Sequence, residues 1–152
     1  MTIIEDGEVL YRYADPRVFP VGQTELPTSI FNDPDLSCDW QKLQSAPASS
    51  PHVVGGRNMI VSIAVCDGIR NPVNPRRTAQ LVPDWKQEIL HDLLPAKPGD
   101  GFTPNFSHAL IRGKKKGAVT TSIRDNSTYT VVAYVPPAAP PAPQLQTSPS
   151  GR

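Results

Sequence analysis

The sequence predicts an α+β fold: a small mixed or antiparallel sheet of about five strands with one main helix packed on a face. Three observations carry this. Several short segments alternate apolar and polar residues, a single segment has helical periodicity, and 18 prolines in 152 residues impose long loops between them. The same pattern divides the chain into one globular unit over residues 1–135 and a disordered proline-rich tail over 136–152.

The first strand is expected at 8–13, where Val9, Tyr11 and Tyr13 alternate with Leu10 and Arg12. Prolines at 16, 20, 27 and 34 make the following stretch loop. A short strand is expected at 36–40, opened by the turn-like Asn32-Asp33-Pro34-Asp35. Residues 45–58, rich in Ser, Pro and Gly, read as a long surface loop. Residues 59–66 are apolar or small at every position, which predicts a strand covered on both faces.

The helix is expected at 83–94. Pro83 suits a first helical turn, Asp84 and Glu88 complement the helix dipole, and Trp85, Ile89 and Leu93 recur at i, i+4 and i+8. Pro95 would stop it. The last third then reads as a meander: strands at 107–112, 118–124 and 128–135, with Gly-Lys-Lys-Lys-Gly and Asp-Asn-Ser as turns. Beyond it, six prolines with Ala, Ser and Gln leave too little apolar surface to offset the entropy of ordering.

Charge narrows the function classes. Fifteen basic and 14 acidic residues give a formal charge of +1, so no global field attracts nucleic acid or membrane. Along the chain the balance is uneven. Residues 1–39 hold eight acids against Arg12 and Arg17, and the remainder holds six acids against thirteen bases. The simplest account is that the two parts pack together and neutralise each other. No apolar run approaches the roughly 18 residues of a membrane span. The acidic start lacks the pattern of a signal peptide, so a cytoplasmic location with reduced thiols is expected.

Motifs are few. Arg112, Lys114, Lys115 and Lys116 form a basic stretch that could meet phosphates or another anionic partner. A solvated lysine turn is the competing reading, and the aromatic interleaving of an RNA-binding surface is missing. His108 shares its side of the expected strand with Arg112, a pairing suited to an anion or to general-base chemistry. Cys38 becomes a candidate nucleophile if His108 or His52 approaches it, although buried free cysteines more often behave as small hydrophobes. His91 is expected on the exposed side of the helix. The three histidines and two cysteines show no metal spacing, and the Gly-Gly-Arg and Gly-Asp-Gly runs match no nucleotide loop, so no metal and no cofactor is expected.

The leading expectation is therefore a non-enzymatic binding or accessory module for a protein or anionic partner. The alternatives are a small transferase or hydrolase using His108 with Arg112 and Cys38, and an adaptor acting through its proline-rich tail. Deleting residues 136–152 should leave the melting temperature almost unchanged. A loss of several degrees would show that the tail docks.

Overall fold

A computed structural model of the chain describes residues 1–19, 22–77, 80–93 and 105–133. Among these residues nine strands lie in chain order: β1 (Thr2–Ile3), β2 (Val9–Ala14), β3 (Asp35–Trp40), β4 (Met59–Ala64), β5 (Val73–Asn74), β6 (Gln80–Leu81), β7 (Glu88–His91), β8 (His108–Arg112) and β9 (Ser127–Val131). The α-helices are α1 (Pro51–Val54), α2 (Asp67–Arg70) and α3 (Gly117–Asp125). Seven strands form one sheet in the order β1-β7-β8-β3-β2-β4-β9, every neighbouring pair antiparallel. The hairpin β5-β6 stands apart from it.

Directly opposed residues of a ladder share a face, so register assigns the two sides of the sheet. Cys38 opposes Ala109 and Leu36 opposes Ile111. Together with Leu10, Met59, Val61, Ile63 and Ile89 they form the main core, closed by Phe31, Ile69, Val119 and Ile123. Helix α3 and the 3-10 turn Thr28–Phe31 lie over that face and supply three of those four closing residues. On the opposite face a smaller cluster of Tyr13, Val53 and Ile60 sits beneath α1. The central strands are thus covered on both sides, which explains the unbroken apolar run of β4.

Part of the uneven charge is neutralised inside the fold. Asp6 pairs with Arg70 at 2.8 Å, Asp35 with Arg112 at 2.9 Å and Glu25 with Arg124 at 3.4 Å. Early acids meet later bases across the sheet and its flanks. The Arg70 guanidinium also donates to the Ile4 carbonyl.

Several expectations need correction. Among the described residues the main sheet has seven strands rather than about five, and residues 83–93 do not form the main helix. A 3-10 turn spans Pro83–Trp85, Lys86 is extended (φ −55°, ψ 135°), and Glu88–His91 is a strand between β1 and β8. Adjacent Ile89 and Leu90 are both buried, one on each face, as a two-sided strand requires and a helical stripe does not. Conversely, residues 118–124 are helical. The run Val-Thr-Thr-Ser-Ile fits period two through 119, 121 and 123, yet buries Val119, Thr120 and Ile123, the helical spacing. Packing overrides the weak helix propensity of its β-branched residues. The expected meander is therefore absent: β8 lies between β7 and β3, and β9 lies at the far edge beside β4. Residue 94, the expected stop at Pro95, the end of the strand expected at 128–135, and the tail from 136 lie outside the described residues. Among the described residues no helix is long and apolar enough to cross a membrane.

Helix and strand readings of residues 83–94 differ in a measurable way. Ile89 is 1% exposed and Leu93 is 53% exposed. Ile89→Ala should cost about 2–5 kcal/mol by denaturation, and Leu93→Ala should stay within about 0.5 kcal/mol. Equal losses at the two sites would restore the helix.

Candidate functional site

The β3–β8 ladder sorts the sequence-predicted residues onto different faces. Cys38 opposes Ala109 in the main core, while His108 opposes Asp39 on the other face. The sheet itself separates the Cys38 thiol from the His108 ring. Cys38 is 3% exposed, and burial pushes its thiol pKa up to about 12, so it is no thiolate nucleophile at neutral pH. His108 and Arg112 do share a face, as alternation along the strand implied. Arg112 is tied by its Nε to Asp35 Oδ1 at 2.9 Å.

Around His108 lies a polar cluster of which the sequence exposed only one member. His108 Nδ1 is 3.0 Å from the main-chain oxygen of Asp92 and 3.3 Å from its carboxylate Oδ2. Both are acceptors, so Nδ1 carries a proton, and Nε2 lies 3.2 Å from Ser37 Oγ, where the neutral ring accepts the hydroxyl proton. Next to this line, Asp39 is 3% exposed. Its Oδ2 accepts from the Tyr13 hydroxyl at 2.8 Å, and its Oδ1 accepts from Asn105 Nδ2 at 3.0 Å. Asn105 Oδ1 in turn accepts from the amide and hydroxyl of Ser107 at 3.1 and 2.8 Å. Burial, then the Asp39 carboxylate, raises the Tyr13 phenol far above its ordinary pKa and keeps it a donor. His52 stacks on the Tyr13 ring at 5.2 Å. His91, expected on a helix surface, sits in β7, where its Nε2 lies 2.7 Å from the Phe106 carbonyl and its ring meets the Trp40 ring at 5.2 Å.

The basic stretch is largely consumed by the fold. Lys114 Nζ lies 2.6 Å from Asp84 Oδ2. Lys115 Nζ donates to the carbonyls of Pro34, Ile111 and Gly113 at 3.2, 2.9 and 3.0 Å. Its partial burial pushes its pKa down to about 8, against the carboxylates of Asp33 and Asp35, which favour the charged form. The Gln87 side-chain amide donates to the Lys114 carbonyl at 2.8 Å. Gly113 has φ +151°, and a Cβ there would lie 2.6 Å from Gln87 Nε2 and 2.7 Å from the Lys86 carbonyl, so glycine lets the two segments close. The lysines are a pinned crossing rather than a hairpin tip.

Lys116 is different. It is exposed, and no ion pair engages it among the described residues. It precedes α3 and lines a groove of ≈ 800 Å³ between α3, α2 and the β5-β6 hairpin. Arg76 lines the same groove, again with no carboxylate on its guanidinium among the described residues. Val73, Leu81 and Trp85 give the groove an apolar side. Asp67 and Asp125 line it as well, Asp125 at the C-terminal end of α3. Among the described residues no three His, Cys, Asp or Glu side chains gather as a metal site requires.

Comparison of the chain with protein-family models, with curated proteins and with solved structures finds no match.

The two thiols should differ sharply. Iodoacetamide at pH 8 should alkylate the half-buried Cys66 and leave Cys38 unmodified until denaturant is added. Early modification of Cys38, read by peptide mass spectrometry, would contradict its burial.

Proposed function

We propose that this chain is a non-enzymatic binding module that takes an acidic, partly apolar peptide segment of a protein partner along α3. The observation that carries this reading is the pair of unengaged cations, Arg76 and Lys116, at one groove beside exposed apolar side chains. Carboxylates of the peptide meet these cations and the positive end of α3, while its apolar residues cover Val73, Leu81 and Trp85. A nucleic acid is served less well. Arg112, Lys114 and Arg124 already pair with Asp35, Asp84 and Glu25, which leaves Arg76 and Lys116 as the groove's unengaged cations among the described residues, too few to track a phosphate backbone.

Pools of synthetic peptides containing Asp or Glu beside Leu or Phe, titrated while amide spectra are recorded, test this reading. Shifts should concentrate at Gly117, Thr121, Ser122 and Trp85. The double variant Arg76→Glu, Lys116→Glu should weaken binding at least about tenfold, about 1.4 kcal/mol, and favour basic peptides instead. Shifts elsewhere, or an affinity indifferent to the charge reversal, would defeat the reading.

One observation favours a second reading, a small hydrolase. Ser37 Oγ, His108 Nε2 and Asp92 form a nucleophile–base–orienter line of hydrogen-bond lengths on a sheet face. In that reading Ser37 attacks an ester carbonyl as its proton passes to His108. The alcohol leaves with that proton, and water releases the acyl group. This reading ranks second because Nδ1 lies closer to the Asp92 main chain than to its carboxylate. Arg112, the cation diagonal to Ser37 on that face, is also already held by Asp35. A fluorophosphonate probe should modify Ser37 in the native chain and fail in His108→Ala if the reading holds; an unmodified Ser37 rules it out.

A further inference from the structure

Strand β9 ends the seven-stranded sheet. Two main-chain bonds fix the direction of its hydrogen-bonding groups. The Ala64 amide donates to the Asn126 carbonyl at 2.9 Å, and the Val132 amide donates to the Asn58 carbonyl at 3.0 Å. Alternate residues of an antiparallel strand turn both main-chain groups to the same side. Asn126, Thr128, Thr130 and Val132 therefore face β4. Ser127, Tyr129 and Val131 turn their amides and carbonyls outward, where no group among the described residues meets them.

Natural sheets blunt such edges with lysine, proline, bulges or very short strands. The opposite edge follows that practice, since β1 has two residues. Strand β9 does not. Its five residues, Ser-Thr-Tyr-Thr-Val, carry no charge, glycine or proline, and the last four are exposed. The Tyr129 side chain does not obstruct the edge. It turns to the main-core face, where its ring meets Phe19 at 5.3 Å and its hydroxyl donates to the Thr24 carbonyl at 2.9 Å.

We propose that β9 is a strand-addition site whose occupant is β9 of a second copy of this chain, antiparallel about a two-fold axis at Tyr129. The outward residues are centred on Tyr129, so this axis opposes Tyr129 to its own copy and Ser127 to Val131. Each opposed pair of outward residues exchanges two hydrogen bonds, and every outward amide and carbonyl of both strands is satisfied. Thr128 then faces Thr130 across the axis, a favourable cross-strand pair. No charge meets its like. A two-fold contact must be self-complementary, and this edge is. A foreign strand would gain the same main-chain bonds but not the matched Thr128–Thr130 pairs that the two-fold axis sets across the seam.

Sedimentation of the full chain over a range of concentrations, with amide exchange measured alongside, tests the proposal. The chain should show a reversible monomer–dimer equilibrium. The Tyr129 and Val131 amides should gain protection as concentration rises, while the Thr128 and Thr130 amides stay protected throughout. Val131→Pro removes an outward amide at a position where an edge strand tolerates proline. It should lower the association constant at least about tenfold with the melting temperature kept. The double variant Thr128→Lys, Thr130→Lys sets lysines against each other and should abolish the dimer at low salt. A chain that stays monomeric up to about 1 mM, or a dimer indifferent to both variants, overturns the proposal. So does full protection of the Val131 amide in dilute monomer, which would mean that another segment of the same chain holds the edge.

Discussion

The register of β3 against β8 is the constraint on which both layers of the molecule rest. It places Leu36 and Cys38 beside Ile111 and Ala109 in the main core, and Ser37 and Asp39 beside Leu110 and His108 on the other face. Because side chains alternate, a slip of one residue would exchange those sets. Asp35 and Ser37 would enter the core, and Leu36 and Cys38 would leave it. Everything packed on either face depends on this ladder, from α3 over the core to the Tyr13 cluster beneath α1.

Asp39 reinforces the register from the polar side. A carboxylate 3% exposed is strongly destabilising unless its oxygens are bonded, and Tyr13 and Asn105 supply one donor each. Tyr13 comes from β2 and Asn105 from the residues entering β8, so three segments must arrive together before the buried charge is satisfied. Apolar packing tolerates small shifts; this network does not. The same donors that satisfy Asp39 hold the surface beside Ser37 and His108 in fixed geometry, so fold and candidate chemistry share one set of hydrogen bonds.

Much of the sheet was legible from alternation. Strands β2, β3, β4 and β8 lie within a residue or two of their expected spans, because each has a clear period of two or an apolar run bounded by turn residues. Two segments were exchanged for physical reasons. Trp85, Ile89 and Leu93 mimic a helical stripe, but β1 and β8 offer main-chain partners that draw Glu88–His91 into the sheet. Residues 118–124 mimic a strand, but α3 gains the cover of Thr28–Phe31. In the candidate site, His108 and Arg112 were legible as one face of one strand. Ser37, Asp92, Asn105 and Tyr13 were not, since they come from separate segments joined only by pairing. One signal was available: Asp39 lies within the otherwise apolar-leaning Leu-Ser-Cys-Asp-Trp, where a charge in a covered strand must have a partner.

The order of strands in space also sets the order in which the sheet can be completed. Thr2 pairs with His91, Asp35 with Arg112 and Met59 with Val131, so nearly every ladder joins distant parts of the chain. Closing such long loops must precede the contacts that reward it, which makes folding slow for a chain of this size. Within the seven-stranded sheet the β7–β8 and β2–β3 ladders span the fewest residues and can form first, and β2 pairs with β4 well before β9 is made. During synthesis the apolar Met59–Ala64 segment then waits with one flank open until Ser127–Val131 has left the ribosome. A nascent chain halted before that point displays an unpaired hydrophobic strand, which is the kind of surface that chaperones bind and that drives aggregation when they do not.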